Sequence, residues 1–100
     1  MKIPFKKSFA SNSEVLLRHC GYARQSDYKT EQISYFKRLG ETHFPKFHVY
    51  VEKESPLILT IHLDQKAHTY GDKSAHLGEY EGGVVRNEAY RIWQIITQEE

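Results

Sequence analysis

Two short runs of strict alternation, on either side of Glu54-Ser-Pro56, constrain this chain more than any other feature. In the first, Phe47, Val49 and Val51 alternate with Lys46, His48, Tyr50 and Glu52. In the second, Leu57, Leu59, Ile61 and Leu63 alternate with Ile58, Thr60, His62 and Asp64. Successive side chains of a strand point to opposite faces, so each run has one apolar side. The turn residues between the runs then make an antiparallel hairpin. Putting both apolar rows on one face narrows the register, because a slip of one residue would turn a whole row outward. A three-residue loop sets Val51 opposite Leu59, His48 opposite His62 and Lys46 opposite Asp64. A five-residue loop leaves His48 diagonal to His62. Either way His48, Tyr50, Thr60 and His62 share a polar, aromatic face with Lys46 at its margin.

The rest of the chain is arranged around this hairpin. Residues 1–10 form a basic arm with three lysines, Pro4 and two phenylalanines. Ser11-Asn-Ser-Glu14 fits a capping box with Ser11 as N-cap. It opens a helix over about 12–20, with Val15, Leu16, His19 and Cys20 as its stripe and Gly21 closing it. Tyr22 to Gln25 and Ile33 to Leu39 read as a second hairpin. A closing helix over about 84–97 follows Gly82-Gly83. Val85, Ala89, Ile92 and Ile96 form its buried stripe, widened by Trp93. The expected fold is therefore a single α+β domain over residues 1–100, of order α-β-β-β-β-α. It is a four-stranded antiparallel meander with both helices on one face and the opposite face open.

Composition narrows the function classes. One hundred residues suit one domain, and 13% aromatic residues suggest an aromatic-rich core. Cys20 is the single cysteine, which excludes an internal disulfide and fits a reducing, cytoplasmic setting. No apolar run is long enough for a transmembrane helix, so no membrane association is expected. Residues 1–50 carry nine basic side chains against four acidic, and residues 51–100 five against nine. The net charge of +1 lacks the strong basic excess common in nucleic-acid binders.

The chemistry concentrates in residues 62–83, which hold three of the six histidines and four of the six glycines. Residues 64–83 read as a long functional or ordered loop, since connections of about 20 residues are uncommon inside compact domains. Three readings arise. A divalent metal (zinc, manganese or iron) would take nitrogen and oxygen ligands from His62, Asp64, His76 and Glu79. A small hydrolase or nuclease would use His62, oriented by Asp64, with His76, Lys66 or Tyr70 as partners, because imidazole can give and take protons near neutrality. A ligand- or partner-binding surface would use His48, Tyr50, Thr60, His62 and Lys46, with Lys37 or Arg38 at the margin, to hold a protein or stack RNA bases. The run's histidines and acids would equally serve to hydrogen-bond its own backbone.

Phe44-Pro-Lys-Phe-His-Val-Tyr50, His62-Leu-Asp-Gln-Lys66, Ala75-His76, Gly78-Glu-Tyr80 and the closing helix resemble a family of short uncharacterised bacterial proteins from small-genome lineages. That resemblance implies no activity and carries no site residue. The α-β-β-β-α portion is also similar in topology to double-stranded-RNA-binding domains. It departs from them in an extra strand and in lacking a basic cluster at the start of the last helix. This likeness bears on fold and not on function.

Overall fold

The structure, a computed structural model, describes residues 1–27, 32–65 and 74–99, and for residue 27 and residues 74–81 the backbone alone. The elements run β1 (Lys2–Pro4), α1 (Ser13–His19), β2 (Ala23–Asp27), β3 (Gln32–Arg38), β4 (Lys46–Lys53), β5 (Ile58–Asp64) and α2 (Ser74–Thr97). One antiparallel sheet holds all five strands in the order β1-β5-β4-β3-β2. The α+β class and the meander of β2 to β5 agree with the alternation pattern.

The central hairpin takes the tighter of its two registers. Val51 pairs with Leu59, His48 with His62 and Lys46 with Asp64. An irregularity between Val51 and Lys53 absorbs the odd residue before Ile58. Phe47, Val49, Leu59, Ile61 and Leu63 thereby point to one side. There they meet Leu16 and Leu17 of α1 and Val85, Ala89, Ile92 and Ile96 of α2 in a single buried cluster.

Four expectations need correction. The basic arm supplies a fifth strand: Ile3 pairs with Leu59 and is buried, while Phe5 donates to the Leu57 carbonyl. Pro4 is admissible there because β1 lies at the sheet edge, where a missing N–H breaks no ladder. A three-residue strand next to lysines shows no period long enough to read.

Helix α1 is capped by Asn12 instead of Ser11, its side chain accepting from the Val15 N–H at 3.0 Å. Glu14 does not fold back on the cap; it pairs with Arg18 at 2.8 Å. Glu54 reaches in from the β4–β5 turn to accept from the Ser13 N–H at 2.7 Å. The buried stripe is Leu16, Leu17 and Cys20, while His19 stays exposed and pairs with Glu99. Gly21 closes the helix at φ +94°, as a C′ glycine should.

Helix α2 begins at Ser74, ten residues before the expected start. Glycine costs a helix about 1 kcal/mol relative to alanine, which weakens a turn without ending it. Gly82 and Gly83 lie exposed inside the helix with open space beside them. The stretch expected as a loop over 64–83 is thus strand at Asp64 and helix from Ser74, with residues 66–73 between them outside the described residues.

The core is also less aromatic than composition suggested. Phe5, Tyr22, Tyr35 and Phe47 contribute, but leucine and isoleucine dominate it. Trp93 does not widen the buried stripe; it is 43% exposed and stacks on Tyr90 outside the helix. Other aromatic rings lie on the far face of the sheet, and they shape the candidate site. Among the described residues, no helix is long and apolar enough to cross a membrane.

Candidate ligand-binding face

The face of the sheet turned away from the helices is assembled by register. Phe36 of β3 pairs with His48 of β4, which pairs with His62 of β5. One row along, Arg38 pairs with Lys46 and Lys46 with Asp64. On the other side of the histidine row, Tyr50 pairs with Thr60, and Thr60 with Lys2 of β1. Lys37, which shared the expected margin with Arg38, falls opposite Phe47 on the helix side, where its stem approaches Gly21.

The aromatic side chains of this face touch edge to face. The His48 and Tyr50 ring centroids are 6.2 Å apart at 80°, and those of Tyr50 and His62 are 5.7 Å apart at 68°. His62 is exposed and Tyr50 half-buried. Aromatic pairs in this geometry place ring edges against ring faces and hold each other's orientation. The tier is preformed, and its outermost ring is open to solvent.

Both acids of the face are engaged. Glu52 accepts a hydrogen bond from the Thr60 hydroxyl and lies 3.9 Å from the Lys2 ammonium. The Asp64 carboxylate turns to His48, its Oδ2 3.6 Å from Nδ1. The imidazole beside Asp64 is therefore its cross-strand diagonal neighbour and not His62, two residues back on its own strand. His48 Nε2 is buried without a hydrogen-bond partner among the described residues.

Burial holds the His48 imidazole below its ordinary pKa; Asp64 opposes this by raising it, while Lys46 and His62 lower it further. An unfolded histidine takes up its proton near about pH 6.5. Just below that pH the unfolded chain binds more protons than the native one, so the His48 contribution to stability is lost as pH falls through that window. Thermal midpoints of wild type and His48→Phe should therefore differ in pH response between about pH 7.5 and pH 5.5. The variant's curve should be the flatter one, and identical curves would remove His48 as the origin.

Lys46 occupies an unusual position. Only 5% of it is exposed. Its ammonium lies 5.2 Å from the Phe36 ring centroid, 4.8 Å from that of Phe44 and 3.2 Å from His43 Nε2. Cation–π contact of this kind suits a desolvated ammonium.

The expected ligand sets are distributed unevenly. His62 and Asp64 share the open face as anticipated, and so do His48, Tyr50, Thr60 and Lys46. His76 and Glu79 lie in the first turns of α2, but their side chains are outside the described residues, as are Lys66 and Tyr70 altogether. Among the described residues, no three histidine, cysteine or acidic side chains gather closely enough to hold a metal ion. A cavity of about 390 Å³ between the start of α1 and strands β3 and β4 is lined by Ser13, Gln32, Ile33, Tyr35, Tyr50 and Val51. Among the described residues, no charged side chain lines it.

A second polar cluster was not legible in the sequence. Glu88 of α2 is buried, accepts from the Tyr22 hydroxyl at 2.7 Å and takes a two-pronged pair from Arg91 at 2.8 Å. Arg91 also donates to the Cys20 carbonyl at 2.6 Å. The cluster joins α2 to the link between α1 and β2 and sits under the helices, away from the open face. Burial pushes the Cys20 thiol up to about 11, with Arg91 partly opposing. The thiolate is the reactive form, so Cys20 should resist a thiol reagent at neutral pH until denaturant is added. Rapid labelling of the native protein would contradict this packing.

No protein-family model matches the chain, and neither does any curated protein or solved structure. The class therefore rests on the fold itself, a five-stranded antiparallel sheet with two helices on one side and a preformed aromatic, histidine-rich surface on the other.

Proposed function

We propose that this protein is a binding domain whose open sheet face takes a single-stranded nucleic acid, RNA in the first instance. The observation that carries the reading is the edge-to-face tier His48–Tyr50–His62, held in register across two strands with its outer ring exposed. Base stacking on such rings tolerates sequence, because every base has a π-face. Cations stand at both ends of the tier, Lys2 at one and Arg38 with Lys46 at the other, and would meet the phosphates. With so few cations, the salt dependence should be shallow, roughly that of two or three phosphate contacts. The lone, buried Cys20 is in keeping with a reducing, cytoplasmic setting.

The test is fluorescence anisotropy of a short, labelled single-stranded RNA. Stacking contributes about 1–3 kcal/mol per base, so Tyr50→Ala and His62→Ala should each weaken binding at least about fivefold. Binding that is absent in wild type, or unchanged in both variants, would discard the reading.

A second reading, a divalent metal at His62 and Asp64 with His76 and Glu79, is favoured by one observation. His48 Nδ1 lies 3.6 Å from Asp64 Oδ2, and His62 stands opposite His48 in register on the same face. Adding Zn²⁺ or Mn²⁺ should then raise the thermal midpoint, and His62→Ala should abolish the rise. If metal also led to cleavage of the labelled RNA, the face would belong to a nuclease.

A further inference from the structure

We infer that the cavity between the start of α1 and strands β3 and β4 is a slot for one uncharged nucleobase, where a strand bound on the aromatic tier is read for base identity. The inference begins with a ladder that stops short. Strand β3 pairs with β4 from Arg38 opposite Lys46 to Tyr35 opposite Val49, and no further. Beyond that point each strand keeps its other neighbour. Ile33 pairs with Ser26 and Gln32 with Asp27, while Tyr50 pairs with Thr60 and Val51 with Leu59. The two strands therefore part inside an intact sheet instead of fraying at its rim.

The parting leaves backbone groups turned toward the gap. The Leu39 N–H donates to the Pro45 carbonyl at 3.2 Å, which fixes the phase of the ladder. Hydrogen-bonded pairs recur at every second residue of an antiparallel ladder. In that phase Tyr35 and Val49 form such a pair, and Ile33 with Val51 would be the next. That pair is not made among the described residues, so the N–H and C=O of Ile33 and Val51 face the gap outside the ladder. A ligand edge that sets a donor beside an acceptor would supply partners for both kinds of group.

The walls define what fits. The cavity has a volume of about 390 Å³, within the range of small-ligand clefts. Tyr35, Tyr50, Ile33 and Val51 give it aromatic and apolar surface, and Ser13 and Gln32 add neutral polar groups. With no charged side chain among its described lining residues, it suits an uncharged ring better than a phosphate. One wall is held from outside, because Glu54 accepts from the Ser13 N–H and ties the start of α1 to the β4–β5 turn. Ile33, 41% exposed, stands at the mouth.

Tyr50 joins this slot to the open face. Its ring lies edge to face with both His48 and His62, and it also lines the cavity. A strand stacked on the tier thus reaches the slot with no gap between the two sites. Stacking tolerates sequence, whereas hydrogen bonds to the Watson–Crick edge of a splayed-out base select it. The slot rests on the single-stranded nucleic-acid reading for its ligand, and it adds base preference to that reading.

The experiment has two arms. In the first, adenosine, guanosine, cytidine and uridine are titrated into the isotope-labelled protein. The amide and methyl resonances of Ile33 and Val51 should shift saturably with at least one of them. Those shifts should disappear in Ile33→Trp, whose larger side chain fills the mouth. Ile33 is exposed, so this exchange leaves the core unaltered. In the second arm, anisotropy compares short oligo-A, oligo-C and oligo-U. Wild type should separate the tightest from the weakest by roughly tenfold, the scale of a matched two-point hydrogen bond. Ile33→Trp should bring the three within about twofold while still binding them, as stacking alone implies. His62→Ala should weaken all three alike.

RNA binding that depends on His62 but has no base preference, or a preference indifferent to Ile33→Trp, would overturn the slot and leave the stacking reading standing. Nucleoside shifts at Ile33 and Val51 without any RNA binding would support the slot and overturn that reading. A preference abolished by Ile33→Trp supports the slot even where free nucleosides bind too weakly to saturate. Silence in both arms would overturn both.

Discussion

Glu88→Ala is expected to cost about 3 kcal/mol of stability, near the lower end of what breaking a buried ion pair costs. Both carboxylate oxygens of Glu88 are in use, one facing Arg91 Nε and the other shared by Arg91 and the Tyr22 hydroxyl. Removing the side chain strands that hydroxyl in a site only 4% exposed, and a buried unpaired donor costs about 1–3 kcal/mol. Arg91 is less of a liability, because 38% of its side chain is exposed and can rehydrate. Tyr22→Phe removes only one bond and should cost about 1 kcal/mol. Urea denaturation of the two variants, read as shifts in midpoint at constant slope, checks both. If Glu88→Ala cost no more than Tyr22→Phe, the cluster would not be what ties α2 to the rest of the domain.

Ile92→Ala should be at least as severe, at about 3–4 kcal/mol. Ile92 has no exposed surface and sits on the stripe by which α2 covers the sheet. Its loss removes apolar burial and leaves a cavity that the surrounding side chains can only partly close. A 100-residue domain is stable by about 5–15 kcal/mol, so this one change would use up a large share. The neighbouring position supplies the control. Trp93 is 43% exposed and its ring lies on Tyr90, so Trp93→Ala should cost under about 1 kcal/mol. Equal losses at the two positions would contradict the orientation of α2.

How much of this was legible beforehand follows from the kind of signal each element carries. The β4–β5 register was readable because both strands are long and each has one apolar row, so sterics and burial agree. β1 was not, since its three residues are too few for a period and its lysines resemble a solvated arm. The start of α2 is not legible at Gly82-Gly83, because a glycine pair marks a helix boundary only on average. Here the helix continues through it to Ser74. Capping was off by one residue because Ser11 and Asn12 are both competent caps, and only Asn12 meets the Val15 N–H.

The candidate face shows the same division. Alternation alone placed His48, Tyr50, Thr60 and His62 together. It could not show that Asp64 turns to His48, nor that Phe36, Phe44 and His43 gather around Lys46. Those contacts depend on β3 and on the connection before β4, which are distant in pattern if not in sequence. The Tyr22–Glu88–Arg91 cluster joins residues more than sixty positions apart and has no sequence signature. Side chains that settle a buried polar network are chosen by their partners, and a single chain read in order does not show them.

RNA binding by the open sheet face is tested most directly by a chemical-shift map of the isotope-labelled protein during titration with short single-stranded RNA. The largest changes are expected on His62, Tyr50, His48, Phe36 and Lys46, with α2 left nearly silent. Changes centred on Tyr90 and Trp93, or none on the sheet face, would contradict sheet-face binding.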